Sequence, residues 1–254
     1  MSNRAAIGSE GMPLAGPPTR LTWLGHGTFG LQTPGGARLL LDAWVEHNPA
    51  CPPAQRGAAE RDLTAILLSH GHFDHIHDAV SIAQRTGTRV VAIHETSVWL
   101  QSKGVGGAVG MNKGGTVDLG GGVTATMVDA VHSCGIQDGD QIIYGGEAAG
   151  YVIALGDGRR LYHAGDTAVF GDMRLIRELW APEVAILPIG GLYTMDPEQA
   201  AFACGLLGVR AVVPGHHGTF PALTGTPAGL RAALDRRGLR VEVIAPAPGE
   251  AVEI

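Results

Sequence analysis

Short apolar runs, each closed by Gly, Pro, Ser or Asp, recur along the chain and predict mostly short strands. In the N-terminal half they predict strands around Leu21–Leu24, Phe29–Gln32, Arg38–Asp42, Ala65–Ser69 and Val90–Ile93. Helical spacing predicts helices over Asp78–Arg85 and near Glu95–Lys103. Further strands are expected at Val123–Val131, Gly150–Leu155, Arg160–His163 and Val184–Pro188, with a helix over Asp172–Leu179 between the last two. Asp196-Pro197-Glu198 reads as a helix start, with an oxygen cap, a proline at the first position and an acid in the first turn. That helix should run to about Leu207 and stop at Gly208. Thr226-Pro227 opens another that ends near Gly238, and strands at Val241–Ala245 and Glu250–Ile254 close the chain. Twice, then, strands are followed by helices, which suits a layered α/β arrangement. No short-period repeat is present.

Composition narrows the class. At 254 residues, the chain has room for one domain or two. Apolar residues make up 45% and charged residues 17%, the balance of a packed protein and not a disordered one. A net charge of −6 argues against a standing nucleic-acid partner. The three cysteines, Cys51, Cys134 and Cys204, are far apart, odd in number and without a Cys-x-x-Cys pair, which suits a reducing cytoplasm. No apolar run approaches membrane-spanning length, and no charged-then-apolar leader opens the chain, so a cytoplasmic protein off the membrane is expected. Residues 1–18 are rich in Gly, Pro and Ala and read as a flexible tail ahead of one domain over 19–254.

The chemistry concentrates in Ser69-His70-Gly71-His72-Phe73-Asp74-His75, where four metal-type side chains follow a buried strand within six residues. Imidazoles with a carboxylate suit zinc, manganese or iron. His70 and His72 alternate and so share one side of an extended segment, while Asp74 and His75 follow after the chain has turned. Three more candidates stand where a strand-like run gives way to Gly, Ser or Pro: His132, Asp166, and one of His216 or His217.

In this order, His-x-His-x-Asp-His, a lone His, Gly-Asp-Thr and a late His, the chain resembles the metallo-β-lactamase superfamily. It is most similar to the bacterial and archaeal metal-dependent hydrolases related to ascorbate-6-phosphate lactonase. Matching stretches include Trp23-Leu24-Gly25-His26-Gly27-Thr28-Phe29, Leu40-Leu41-Asp42, His132-Ser133, Tyr162 through Thr167, Pro188 through Gly191, Tyr193 through Met195, and Pro214 through Pro221. They extend from about Arg20 to the C-terminus. The resemblance implies an α/β, four-layer αββα sandwich. It implies that His70, His72 and His132 hold one metal, that Asp74, His75 and His216 hold a second, and that Asp166 bridges them. His216 is chosen because Pro214, His216, Thr219, Phe220 and Pro221 align with the family pattern, leaving His217 where tyrosine is common. The cofactors implied are two divalent ions, zinc or manganese first, with iron or nickel as further options.

The activity implied is hydrolysis of a small ester, lactone or phosphodiester by a hydroxide shared between two metals about 3.5–4 Å apart. The alternative is a nuclease or phosphodiesterase acting on RNA or nucleotides. Asp74 is assigned the nucleophile's proton as well as a metal, and His163 and His26 are further catalytic candidates. His163 would orient a ligand or donate a proton, and His26 would contact substrate or support a ligand. Asp42 is expected to support the metal loop from behind, and Cys134 to be a small buried thiol. His77 should cap a helix or face solvent, and His47 and His94 should be surface residues. The glycine-crowded segments 104–122 and 145–150 read as loops or turns over the site, with 104–115 as a lid whose Lys113 meets an anionic substrate. A small-molecule substrate is expected, no stable nucleic-acid partner and no membrane, and a homo-oligomer is compatible with the chain.

Overall fold

The computed structural model describes residues 18–254. The tail expected over 1–18 falls outside the described residues, Pro18 excepted. The first half contains β1 (Arg20–Trp23), β2 (Phe29–Gln32), β3 (Arg38–Leu41), α1 (Pro53–Ala59), β4 (Ala65–Leu67), α2 (Phe73–Ile76), α3 (Ala79–Thr86), β5 (Arg89–Ile93), α4 (His94–Ser102) and β6 (Ala108–Met111). The second contains β7 (Thr116–Gly120), β8 (Val123–Asp129), β9 (Gly135–Asp138), β10 (Gln141–Tyr144), β11 (Ala149–Ala154), β12 (Arg160–His163), α5 (Met173–Trp180), β13 (Val184–Pro188), α6 (Pro197–Leu207), β14 (Ala211–Gly215), α7 (Pro227–Arg236), β15 (Glu242–Val243) and β16 (Ala251–Glu253).

Among the described residues, two seven-stranded sheets face each other, in the orders β16-β1-β2-β3-β4-β5-β6 and β15-β14-β13-β12-β11-β8-β7. Strand alternation decides which side chains meet. Leu21, Phe29, Leu39, Leu41, Leu67 and Val91 point inward from the first sheet onto Val123, Met127, Tyr151, Ile153, Leu161 and Val213 of the second. The opposite side of the first sheet, through Leu40, Ile66 and Val90, packs on Ile82, Ala83 and Leu100 of α3 and α4. The opposite side of the second, through Val152, Ala185 and Val212, packs on α5, α6 and α7. Helices therefore cover both sheets, and the order of layers is αββα. The central strands β4, β13 and β14 are parallel to their neighbours and buried on both faces, which is why they read as unbroken apolar runs.

The helix starts follow their sequence signals. Asp196 accepts a hydrogen bond from the Gln199 amide, Thr226 accepts one from the Gly229 amide, and Gly208 closes α6 in the left-handed conformation. The segment expected to form a lid does not do so. Residues 108–111 are the edge strand β6, paired parallel to β5, and residues 116–120 are the edge strand β7 of the other sheet. Lys113, between them, is paired with Asp129 and Glu147, so its charge is offset where it stands and it does not line the cleft described below.

Candidate metal centre

The loops that follow β1, β3, β4, β8, β12 and β14 meet at one edge of the sandwich and carry His26, Asp42, His70 to His75, His132, Asp166 and His216. The one-turn helix α2 supplies the reversal that lets Asp74 and His75 face the point His70 approaches from its strand. Among the described residues, three of the six non-glycine residues with positive φ are here: His26 at +54°, Asp42 at +55° and His216 at +52°. Strained backbone of this kind is kept where the surroundings over-determine it, as at functional sites.

Two groups of ligand-type atoms form. In the first, His70 Nε2 lies 3.0 Å from His72 Nδ1, and His132 Nε2 lies 3.3 Å from that same Nδ1. A tetrahedron with metal–nitrogen distances of about 2.0–2.1 Å has edges of about 3.3–3.4 Å, so these spacings fit three donors around one ion. The second group is Asp74, His75 and His216, with His26 beside them. Asp166 Oδ2 lies between the groups, 3.9 Å from His70 Nε2, 3.8 Å from His132 Nε2, 3.4 Å from His75 Nε2 and 3.0 Å from His216 Nε2.

Asp42 orients donors in both groups. Fully buried, it accepts hydrogen bonds from the Ser69 amide (2.7 Å) and hydroxyl (2.9 Å), and lies 2.8 Å from His75 Nδ1 and 3.2 Å from His163 Nε2. The Ser69 hydroxyl gives its proton to Asp42, so at 2.9 Å it accepts from His70 Nδ1. His70 and His75 are thereby both held with Nε2 unprotonated toward the cluster when neutral, the way a carboxylate behind a histidine prepares a ligand. His75 Nε2 is buried and has no hydrogen-bond partner. A buried nitrogen aimed at the Asp166 carboxylate, 3.4 Å away, and at other imidazoles fits a metal donor.

The charges support this. Burial pushes the Asp166 carboxyl up, but His75 and His216 hold it well below the carboxylate range. Asp74 is likewise pushed up by burial and held down by His75 and by hydrogen bonds from His216 and His26. Burial pulls His70, His72 and His132 down, so all three are neutral donors at pH 7. For His216 burial acts downward, but Asp166 and Asp74 raise it to about 9 in the metal-free protein.

The remaining sequence candidates divide. His26, buried and brought to about 4 chiefly by burial, is neutral at pH 7; its Nε2 donates to Asp74 Oδ2 at 2.7 Å and its Nδ1 accepts from Thr219 at 3.0 Å. It borders the cleft, but both nitrogens are engaged, so its geometry is that of a residue positioning Asp74. His163 does not border the cleft; it contacts Asp42, the orienting geometry and not the proton-donating one. His216 turns toward the cluster and His217 away, stacking on Trp23 at 4.8 Å. β14 ends at Gly215, and the left-handed backbone of His216 makes the turn. His217 is absent from the cleft lining, so it takes no substrate-facing position there. Cys134 is a buried thiol that accepts from the Gly71 amide at 3.2 Å and donates to the Gly145 carbonyl at 3.3 Å. His47, His77 and His94 are exposed, and His47 bonds Asp78 at 2.8 Å.

Over the cluster opens a cleft of about 680 Å³. Sequence reasoning missed much of its wall: Phe73, Tyr193, Phe220 and Leu223, and the hairpin of β9 and β10 that contributes Gly135, Gln137 and Ile142.

Comparison with known proteins agrees with this geometry. Residues 37–217 match the family model described as a beta-lactamase superfamily domain. A UPF0173 metal-dependent hydrolase of Koribacter versatilis is 54% identical over 211 residues, covering 83% of this chain and 89% of its own. The chain belongs to this superfamily and to its UPF0173 metal-dependent hydrolases. Another UPF0173 member, from Solibacter usitatus, is 54% identical over 233 residues, 92% of this chain and 99% of that one. Among solved structures, a metallo hydrolase from the archaeon Ignicoccus hospitalis superposes with a TM-score of 0.82 at 35% identity, covering 94% of this chain and 99% of that one. An isothiocyanate hydrolase from Delia radicum gut bacteria shares the fold at a TM-score of 0.70 and 22% identity. As expected of a metal-dependent hydrolase, this UPF0173 chain brings His and Asp donors together at one sheet edge. Among the described residues no helix is long and apolar enough to cross a membrane.

Proposed function

We propose that this chain is a two-ion hydrolase of a small ester, lactone or phosphodiester. His70, His72 and His132 would hold one ion, Asp74, His75 and His216 the other, and Asp166 would bridge. The observation that carries the reading is the position of the Asp166 carboxylate, within 3.0–3.9 Å of two imidazoles from each group. Five imidazoles and two carboxylates are borderline to hard donors and favour zinc or manganese.

When bound, such ions lower the pKa of water and polarise the oxygen of a carbonyl or phosphoryl group. The chain's own groups do the rest. Asp74 borders the cleft, and His26 donates to its Oδ2, fixing a carboxylate that would accept a hydrogen bond from water there. Held well below its usual value, Asp74 is an ionised acceptor that would orient the water's proton. Asp42, Ser69 and His163 fix the donors before any substrate arrives. No serine or cysteine nucleophile is needed: Ser133 sits against His72 at 3.2 Å, and burial raises the Cys134 thiol above its ordinary value. Nothing in the cleft favours the nuclease alternative.

Metal saturation followed by desalting and elemental analysis tests the ligand assignment. The parent should retain two ions per chain. His132→Ala and His216→Ala should each bring that toward one, and His217→Ala should leave it at two. One ion in the parent, or loss of an ion in His217→Ala with retention in His216→Ala, overturns the assignment.

A further inference from the structure

The cleft over the metal ligands is walled by hydrocarbon. Phe73, Ile142, Tyr193, Phe220 and Leu223 line it, and among the described residues no lysine or arginine does. Several of these side chains are bulky and open to solvent, with Ile142 76% and Tyr193 62% exposed. Apolar groups gathered at a chemical site and left uncovered mark a place where an apolar ligand completes the burial. The wall is also stiff on one side. Phe220 stacks on Trp44 at 6.1 Å, and Phe73 meets the same indole edge-on at 5.6 Å.

Charge points the same way. Asp74 and Asp166 stand among the ligand-type groups and Asp42 directly behind them, Asp42 and Asp166 buried and Asp74 half-buried. They would offset three of the four positive charges of two divalent ions, so little net charge would remain to attract an anion. The chain does gather cations elsewhere. A separate groove of about 220 Å³ on the outer side of the first sheet is lined by Arg20 and Arg38, and it contains none of the metal-type histidines. Anion-binding side chains are thus available to this protein but stand away from its cleft.

We infer that the substrate is an uncharged carboxylic ester or lactone carrying a hydrocarbon or aryl group, and not a phosphodiester or nucleic acid. This rests on the two-ion hydrolase reading and narrows it. The acyl–oxygen bond breaks, the oxygen of one water joins the acyl carbon, and a proton passes to the departing alcohol. The products are one carboxylic acid and one alcohol, or the hydroxy acid of an opened lactone. Phe73, Ile142 and Phe220 would hold the hydrocarbon part and set specificity.

The zinc-loaded protein, with a chelator-treated control, should be assayed on p-nitrophenyl esters from acetate to octanoate and on mono-p-nitrophenyl glutarate, the carboxylate-bearing counterpart of the pentanoate. The metal-dependent kcat/KM should rise on the order of ten- to a hundredfold from acetate to octanoate, as added methylenes are buried. The pentanoate should exceed the glutarate by about tenfold or more, because an unpaired carboxylate is costly to desolvate. Ile142→Ala and Phe220→Ala should each lower the octanoate-to-acetate ratio. A flat or falling chain-length profile, a preference for glutarate, or a higher kcat/KM on bis(p-nitrophenyl) phosphate overturns the substrate class while leaving the hydrolase reading intact. Binding is read independently on the metal-free protein by saturation-transfer NMR with 2-decanone and diphenyl phosphate. Preference for the ketone supports the inference and preference for the anion overturns it. A protein that binds the ketone but hydrolyses nothing when loaded fails the hydrolase reading and not the cleft's preference.

Discussion

A carboxylate that touches no ion can still govern a metal centre, and Asp42 is placed to do so. It reaches His75 directly and His70 through the Ser69 hydroxyl, one donor in each group. Asp42→Asn keeps the shape but removes the charge and presents an NH₂ where an acceptor is required. Metal affinity should fall about 10–100-fold, the usual loss when the group behind a ligand is changed. Competition with a chromophoric chelator measures it; parental affinity would show that Asp42 only packs. Asp74→Asn addresses the chemistry. Activity on any substrate found should fall about 10²–10⁴-fold, the contribution of a positioned acid or base, and a variant as fast as the parent removes Asp74 from proton handling. At this scale the His-x-His-x-Asp-His run was legible because its donors are consecutive. The role of His26 was legible only as two alternatives, because its partners Asp74 and Thr219 are 48 and 193 residues away. His163 was legible only as two alternatives for the same reason: its partner Asp42 is 121 residues distant.

Elements with local signals could be read, and elements defined by distant partners could not. Asp196 and Thr226 announced their helices because a cap is a contact three residues long. The hairpin of β9 and β10 carried a local signal of its own: Gly139-Asp140 forms the two-residue connection between the paired Asp138 and Gln141, with Gly139 at φ +61°. The segment before it misled in the other direction. Its glycines suggested loops, but β6 and β7 form on the edges of two large sheets that supply the pairing. Close packing between elements gives a sharper test. Gly165, at φ +60° between β12 and Asp166, lies so near the metal loop that a Cβ there would be 2.4 Å from Ser69 Cβ and 2.8 Å from its hydroxyl. Gly165→Ala should cost about 2 kcal/mol or more, from the left-handed backbone and the displaced serine, and should also lose metal. Thr226→Ala is the contrast. It should cost about 1 kcal/mol through the lost cap and keep its metal. Thermal denaturation and elemental analysis of both variants separate the effects; full metal retention in Gly165→Ala would show that Ser69 can move without consequence.

At the scale of the molecule, strand periodicity did not fix the four-layer arrangement; the family resemblance implied it, and the two seven-stranded sheets agree with it. What the packed sheets produce is one edge where five imidazoles and two carboxylates are proposed to meet two ions, with Asp42 behind them. Without metal, those carboxylates are balanced by protons. His75 is raised well above its ordinary value and His216 to about 9, in both cases because nearby carboxylates outweigh burial. A folded value above the unfolded 6.5 contributes stability that is fully present below pH 6.5 and is lost as pH rises through about 9. His26, His70, His72 and His132 are lowered instead, so above about pH 7.5 they are neutral in both folded and unfolded chains and add little to this slope. Metal needs the unprotonated imidazole, so its binding strengthens over the same interval as the protons leave. The metal-free protein should therefore lose thermal stability between about pH 7.5 and 9, while the rise in Tm on adding zinc grows, by on the order of 5–10 °C across the window. Thermal scans with and without chelator at half-unit steps of pH check both trends. A zinc-induced shift that stays constant, with a metal-free Tm equally flat, would mean that the cluster does not exchange protons for metal and that His75 and His216 are not ligands.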